Sequence, residues 1–196
     1  MSKTKKQTRR EQRETLTAAM VGGDLIRYQT RTDGDVWEFG HVFGLNKRFL
    51  LLQRVSKDVF LDGYTVLPRC EIRQADSASD FLLERALPLF GYRPAPPNEI
   101  QLDDWRSLVA SVDVHFPLAS VETGRIEAGC LFIGRVAKIK NRSFLLREIS
   151  VRAVWDKSPM KHRFRDITRV NFGGRYEAAL WRVAQSENAV IENQNS

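Results

Sequence analysis

The stretches "GHVFGLNKRFLLLQRVSKDVFLD" (Gly40 to Asp62) and "GRVAKIKNRSFLLREISVRAVWD" (Gly134 to Asp156) are two versions of one pattern, 94 residues apart. Gly40, Val42, Arg48, Leu51, Leu52, Ser56 and Asp62 return as Gly134, Val136, Arg142, Leu145, Leu146, Ser150 and Asp156 without a gap. Working outward, Arg31 meets Arg125. Phe39, Leu45 and Val55 meet Ile133, Ile139 and Ile149, so apolar positions keep their class. One extra residue later brings Ile72 onto Ile167 and Phe81 onto Tyr176. The expectation is a duplication, with copies at about 8–91 and 98–185. Two copies are too few for a solenoid.

Each copy opens on a helical stretch, "RREQRETLTAAM" and "EIQLDDWRSLVASV", the second with Asn98 as a cap after Pro96 and Pro97. Ile26–Thr30 and Val36–Leu45 predict a hairpin, because Asp33-Gly34 suits a tight turn. Phe49–Val55 and Ser143–Ile149 predict the following strands. Their apolar residues occupy both parities, so both faces must be covered. Gly40 and Gly134 lie inside a long strand, where a glycine marks a sharp bend. The last strands are "TVLPRCEIR" and "PMKHRFRDITRV". Each copy then closes on a short helix. One begins near Ser79 and stops at Pro88; the other places Tyr176, Leu180 and Val183 on one face. The fold class expected is mainly β with flanking helices (α+β), as two tandem small barrels. The divisions are 1–14, a basic flexible tail; 15–91, the first barrel; 92–118, a linker and leading helix; 119–185, the second, basic barrel; and 186–196, a frayed end.

This order of a leading helix, a bent strand with Gly, an "FLL" strand, a "DG" turn, a short strand and a closing Ile resembles the Sm-like or SH3-like small barrels. Gly40–Arg73 is also similar to the C-terminal barrel of bacterial ribosome-maturation factors. The resemblance covers most of both copies and implies RNA binding through two loops. The first loop here is short, and Leu50 and Phe144 stand where the RNA-facing Asn falls in the family. Of the second loop only a basic residue remains, Arg73 or Arg169.

Charge separates the copies. The net charge is +7. Residues 25–90 carry nine basic and nine acidic side chains, whereas residues 119–185 carry fourteen and six. Residues 1–14 carry six basic and two acidic side chains, including Lys3, Lys5, Lys6, Arg9, Arg10 and Arg13. An imbalance of this kind concerns partners rather than fold. In "MKHRFRD", Met160, His162 and Phe164 alternate with Lys161, Arg163 and Arg165. A strand would set those three cations on one face about 6.7 Å apart. Two roles fit: following a phosphate backbone, or discouraging edge-to-edge strand pairing. Lys138, Lys140, Arg142, Arg152, Lys157 and Arg169 are the cations that could join them. The first copy aligns Leu67, Arg69 and Glu71 with this stripe, and Val66, Pro68 and Cys70 with its inward set.

Other chemistry has little to stand on. His41, His115 and His162 are scattered, Cys70 and Cys130 read as buried apolar positions, and no carboxylate pair or metal-ligand spacing occurs. "NFGGRY" lacks the spacing of a P-loop or dinucleotide fingerprint, so its glycines turn strand into helix. Trp37, Trp105, Trp155 and Trp181 are read as packing residues. No cofactor is implied. No apolar run approaches the roughly 20 residues of a membrane span. With no secretory signal pattern, the expectation is a cytoplasmic protein and not an enzyme. The expected function is a binding module with RNA as partner. The alternative is a protein-interaction or assembly module, including self-association, with no nucleic acid.

Overall fold

Thr8 starts the first helix. Its side chain accepts from Glu11 N–H, and the Glu11 carboxylate accepts from Thr8 N–H, a reciprocal cap at the head of α1 (Arg9–Gly22). Gly23, with φ of 74°, ends the helix in the left-handed region. Five antiparallel strands follow: β1 (Leu25–Thr30), β2 (Glu38–Leu45), β3 (Phe49–Ser56), β4 (Phe60–Pro68) and β5 (Ile72–Ser77), then α2 (Leu82–Leu89). A single 3-10 turn, Arg69–Glu71, separates β4 from β5. The strand order is β5-β1-β2-β3-β4. One core sets Leu16 and Ala19 of α1 against Ile26, Tyr28, Val42, Leu50, Leu52, Leu67, Ile72 and Ala75. A second sets Leu83 and Leu87 of α2 against Leu25, Phe39 and Val55. The sheet is therefore covered on both faces, as the apolar parity of "FLLL" requires.

The second unit has the same order of elements. α3 (Trp105–His115) leads into β6 (Ala119–Glu122), β7 (Leu131–Ile139), β8 (Ser143–Glu148), β9 (Met160–Arg163), a 3-10 turn at Phe164–Asp166, β10 (Arg169–Phe172) and α4 (Arg175–Gln194). The strand order is β10-β6-β7-β8-β9. Leu180 and Ala184 of α4 pack with Leu118, Ile133, Ile149, Ala153 and the edge-on pair Trp155 and Trp181. The computed structural model describes residues 7–78, 81–124 and 130–194. It divides the chain into units Met1–Pro97 and Asn98–Ser196.

The observed elements are α+β and mainly β, as expected, but in each unit the first strand pairs with the fifth while the two end strands of the order, β4 and β5 or β9 and β10, are not neighbours, so neither sheet closes into a barrel. Residues 9–14 of the expected tail are helix, and residues 1–6 lie outside the described residues. The stretch 92–97 belongs with the first unit. Ala95 is held there, its N–H donating to Gln53 Oε1 and its carbonyl accepting from the Tyr64 hydroxyl. The second leading helix starts at Trp105 rather than after Asn98, because the Asp104 side chain caps it on Ser107 N–H. α4 runs on to Gln194 through most of the stretch expected to fray; Asn195 and Ser196, like Ser79 and Arg125, lie outside the described residues. Its buried stripe is Glu177, Leu180 and Ala184, while Tyr176 and Val183 are exposed. Cys70 and Cys130 are exposed, not buried.

The second and third strands of the two units share one register. Gly40 faces Arg54 and Gly134 faces Glu148; Val42 faces Leu52 and Val136 faces Leu146. Both pairs then carry a bulge, at Val42/Gly44 and at Val136/Lys138. A methyl group on Gly40 would lie 2.8 Å from the Gln53 carbonyl oxygen, and one on Gly134 within 2.9 Å of Glu148 Cα and against the Arg147 carbonyl. The glycines are there because the neighbouring backbone leaves no room for a Cβ. Replacing Gly134 by Ala is expected to destabilise the protein by about 1–3 kcal/mol, the usual range for overpacking. Urea unfolding of Gly134→Ala beside the parent checks this, and an unchanged midpoint would remove steric exclusion as the reason for the glycine.

Candidate nucleic-acid interface

The bulge in β7 decides which side chains share a face. Beyond it, Lys138 faces Leu145; before it, Arg135 faces Arg147. With regular pairing throughout, Arg135 and Lys138, three residues apart, would point to opposite faces. The extra residue, Ala137, puts both on one. On the other side of β8, Leu145 faces Lys161 and Ser143 faces Arg163. Lys138, Leu145 and Lys161 therefore form a row across three strands, with the two lysine backbones about 10 Å apart. Arg135 and Arg147 lie on one side of the row, and Arg163 on the other. All five cations are exposed, and no carboxylate occupies these paired positions.

The opposite face of the same strands is built differently. Phe144 and His162 face each other there, with Phe164 stacked on Phe144 and the Phe132 ring tilted against His162. His162 Nε2 lies 3.0 Å from Glu148 Oε1. This buried cluster fixes β9 against β8, so Lys161 and Arg163 stand on a braced strand. Arg147 is also held, with its guanidinium over the Trp155 ring at 5.4 Å and its Nε donating to the Asp156 carbonyl.

The remaining sequence candidates distribute as follows. Lys140 and Arg142 are exposed in the β7–β8 turn, beside the Arg163 end of the row. Arg152 and Lys157 are exposed in the long β8–β9 connection, at the opposite end of β8. Arg165 does not continue the stripe. The strand stops at Arg163, and Arg165 sits in the following 3-10 turn with its guanidinium 3.4 Å from Asp166. Arg169 is only 6% exposed and points its Nε toward Glu122 Oε2 at 3.8 Å, so it is a buried side chain rather than a surface contact. Met160, expected inside, is exposed. Among the described residues, no group of three or more His, Cys, Asp or Glu side chains could hold a metal ion. The start of α4 already carries the buried Glu177 carboxylate, which accepts from Ser120 Oγ, so the "NFGGRY" turn offers an anion little.

Strand pairing also corrects the correspondence between the units. Leu51 faces Val66 where Leu145 faces Lys161, and Phe49 faces Pro68 where Ser143 faces Arg163. The counterparts of Lys161 and Arg163 are thus Val66 and Pro68, not Leu67 and Arg69. A one-residue slip exchanges the two faces of a strand. The five cations Arg135, Lys138, Arg147, Lys161 and Arg163 stand where the first unit has His41, Gly44, Gln53, Val66 and Pro68. Arg135 and Arg147 escaped the sequence reading. Their signal was the pair of changes from His41 and Gln53, which only the bulged register joins.

No protein-family model, curated protein or solved structure matches the chain. Asp113 of α3 lies beside Arg135 and the Val136 N–H. Burial pushes its carboxyl above the usual carboxylate range, and Arg135 and the Val136 N–H pull it partly back. A carboxyl whose folded pKa is raised costs stability once ionised, and that cost disappears as pH falls through the raised value. Asp113→Asn is therefore expected to stabilise the protein at pH 7, with the gain fading as pH falls through the Asp113 titration. Thermal unfolding from pH 7 to pH 3 reads this; a gain independent of pH would mean that the carboxylate charge is not its source.

Proposed function

We propose that this protein is a tandem of two Sm-like modules that binds RNA through the sheet face of its second unit. The common element order, the shared register of the second and third strands and the matching bulges support descent of both units from one module. The observation that carries the binding reading is the cationic row on β7, β8 and β9, set against a neutral first-unit counterpart. Like charges placed directly opposite, as Arg135 and Arg147 are, destabilise a sheet. Five exposed cations with no carboxylate at the paired strand positions, and Asp113 of α3 beside Arg135 alone, are thus a cost to folding that a polyanion would relieve. The binding energy on this reading comes from phosphate contacts and counterion release. Leu145 and Ser143, lying between the cations, offer no ring on which a base could stack.

A protein-interaction module is the second reading, favoured by the exposed Leu82, Leu89 and Phe90 on and just after α2. Membrane insertion has no helix to use: no described helix is long and apolar enough to cross a bilayer.

Fluorescence anisotropy with single-stranded RNA at increasing salt separates the readings. RNA binding is expected to weaken with a log–log slope of about −0.7 per phosphate neutralised. Replacing Lys138, Lys161 and Arg163 together by Ala is expected to make that slope shallower by about 2 and to lower affinity at least tenfold. Arg165→Ala, away from the row, should leave both nearly unchanged. Absence of RNA binding even at low salt would overturn the proposal and leave the protein-interaction reading.

A further inference from the structure

Strand β5 forms hydrogen bonds to β1 along one side, pairing Ile26 with Ser77, Tyr28 with Ala75 and Thr30 with Ile72. Its other side would ordinarily offer unpaired N–H and C=O groups to any extended chain. Here two glutamines of the N-terminal segment occupy it. The Gln7 side-chain amide donates from Nε2 to the Ala75 carbonyl at 2.8 Å, and its Oε1 accepts from Ala75 N–H at 3.0 Å. Gln12 Nε2 donates to the carbonyls of Arg73, at 3.1 Å, and Ile72, at 3.3 Å.

A primary amide has the same donor and acceptor geometry as a peptide group. Gln7 therefore presents Ala75 with the two-point pairing that a residue of an adjacent strand would make. Gln12 is 8% exposed, and such burial of an amide is sustained only by its hydrogen bonds. The reciprocal Thr8–Glu11 cap lies between them and fixes the helix start from which both side chains reach.

We infer that Gln7 and Gln12 are a surrogate strand that closes the β5 edge and prevents a second copy of this chain from adding to it. The closure depends on side chains, so it can be removed without touching the sheet. It is independent of the RNA reading, since it lies in the other unit.

The test uses the full chain. In Gln7→Ala, hydrogen exchange at the Ala75 amide should speed up about tenfold or more, because its acceptor is gone. Gln7→Glu keeps an Oε acceptor for that N–H but loses the donor to the Ala75 carbonyl. It should retain most of the amide protection. The double variant Gln7→Ala/Gln12→Ala should show concentration-dependent association by sedimentation velocity, with the parent unchanged over the same range. Unchanged Ala75 exchange in Gln7→Ala would overturn the pairing. A double variant that keeps its circular dichroism and sediments like the parent would overturn the blocking role. Should the double variant fail to fold, Gln7→Ala alone carries both measurements.

Discussion

The closest constraint in either unit is the contact of two backbones at a glycine. Where Gly40 passes Arg54, and Gly134 passes Glu148, the adjoining strand lies so near that a single methyl group has no space. That approach lets a sheet of five short strands bend enough for a helix to cover each face. It also fixes the register of the second strand against the third. Every later placement follows from that register, including the bulge and the faces on which charged residues stand. In a period-2 structure a register error of one residue is a complete inversion.

Much of this was legible in the residues. The repeated glycine, the "FLL" strands apolar on both parities and the Asp33-Gly34 turn led to the first hairpin and to the third strand of each unit, because each is a local requirement. The expected last strands "TVLPRCEIR" and "PMKHRFRDITRV" are each broken in two by a 3-10 turn, and the expected "DG" turn at Asp62-Gly63 lies inside β4. Barrel closure was not local. It depends on whether the fourth and fifth strands of a unit, which stand at opposite ends of its order, reach each other, and no residue pattern expresses that distance. The cationic stripe was half legible. Alternation correctly put Lys161 and Arg163 together, but it carried Arg165 along with them, since a 3-10 turn ends the strand without a glycine or proline to announce it. Arg169 looked like its neighbours in composition. Only its place opposite Glu122, across the β10–β6 pair, made it a buried residue. Arg135 was invisible as a member of the face, because membership depends on the unpaired Ala137.

The two units thus share a scaffold and differ in what one sheet face presents. Phe49, Leu51 and Val66 are buried in the first; Ser143, Leu145 and the exposed Lys161 stand there in the second, and the exposed Arg163 stands where the first has Pro68. The residues behind that face stay buried in both, Leu50, Leu52 and Leu67 in one and Phe144, Leu146 and His162 in the other, where His162 has replaced Leu67 and is paired with Glu148. Charge has been added on the outward parity, while the inward one has kept its burial. A strand paired on both sides permits this, because its hydrogen bonds are indifferent to the side chains it carries.

The glutamines at the β5 edge also bear on how the chain is made. Gln7 precedes Ala75 by 68 residues, and Gln12 precedes Ile72 by 60. At a synthesis rate of about 5–20 residues per second, the capping amides leave the ribosome several seconds before the strand they cover. Strand β5 is the last of its sheet to emerge, and the groups that satisfy its outer side are already waiting. A cap supplied from downstream would have left that backbone open on a crowded ribosome for as long as the rest of the chain took to appear.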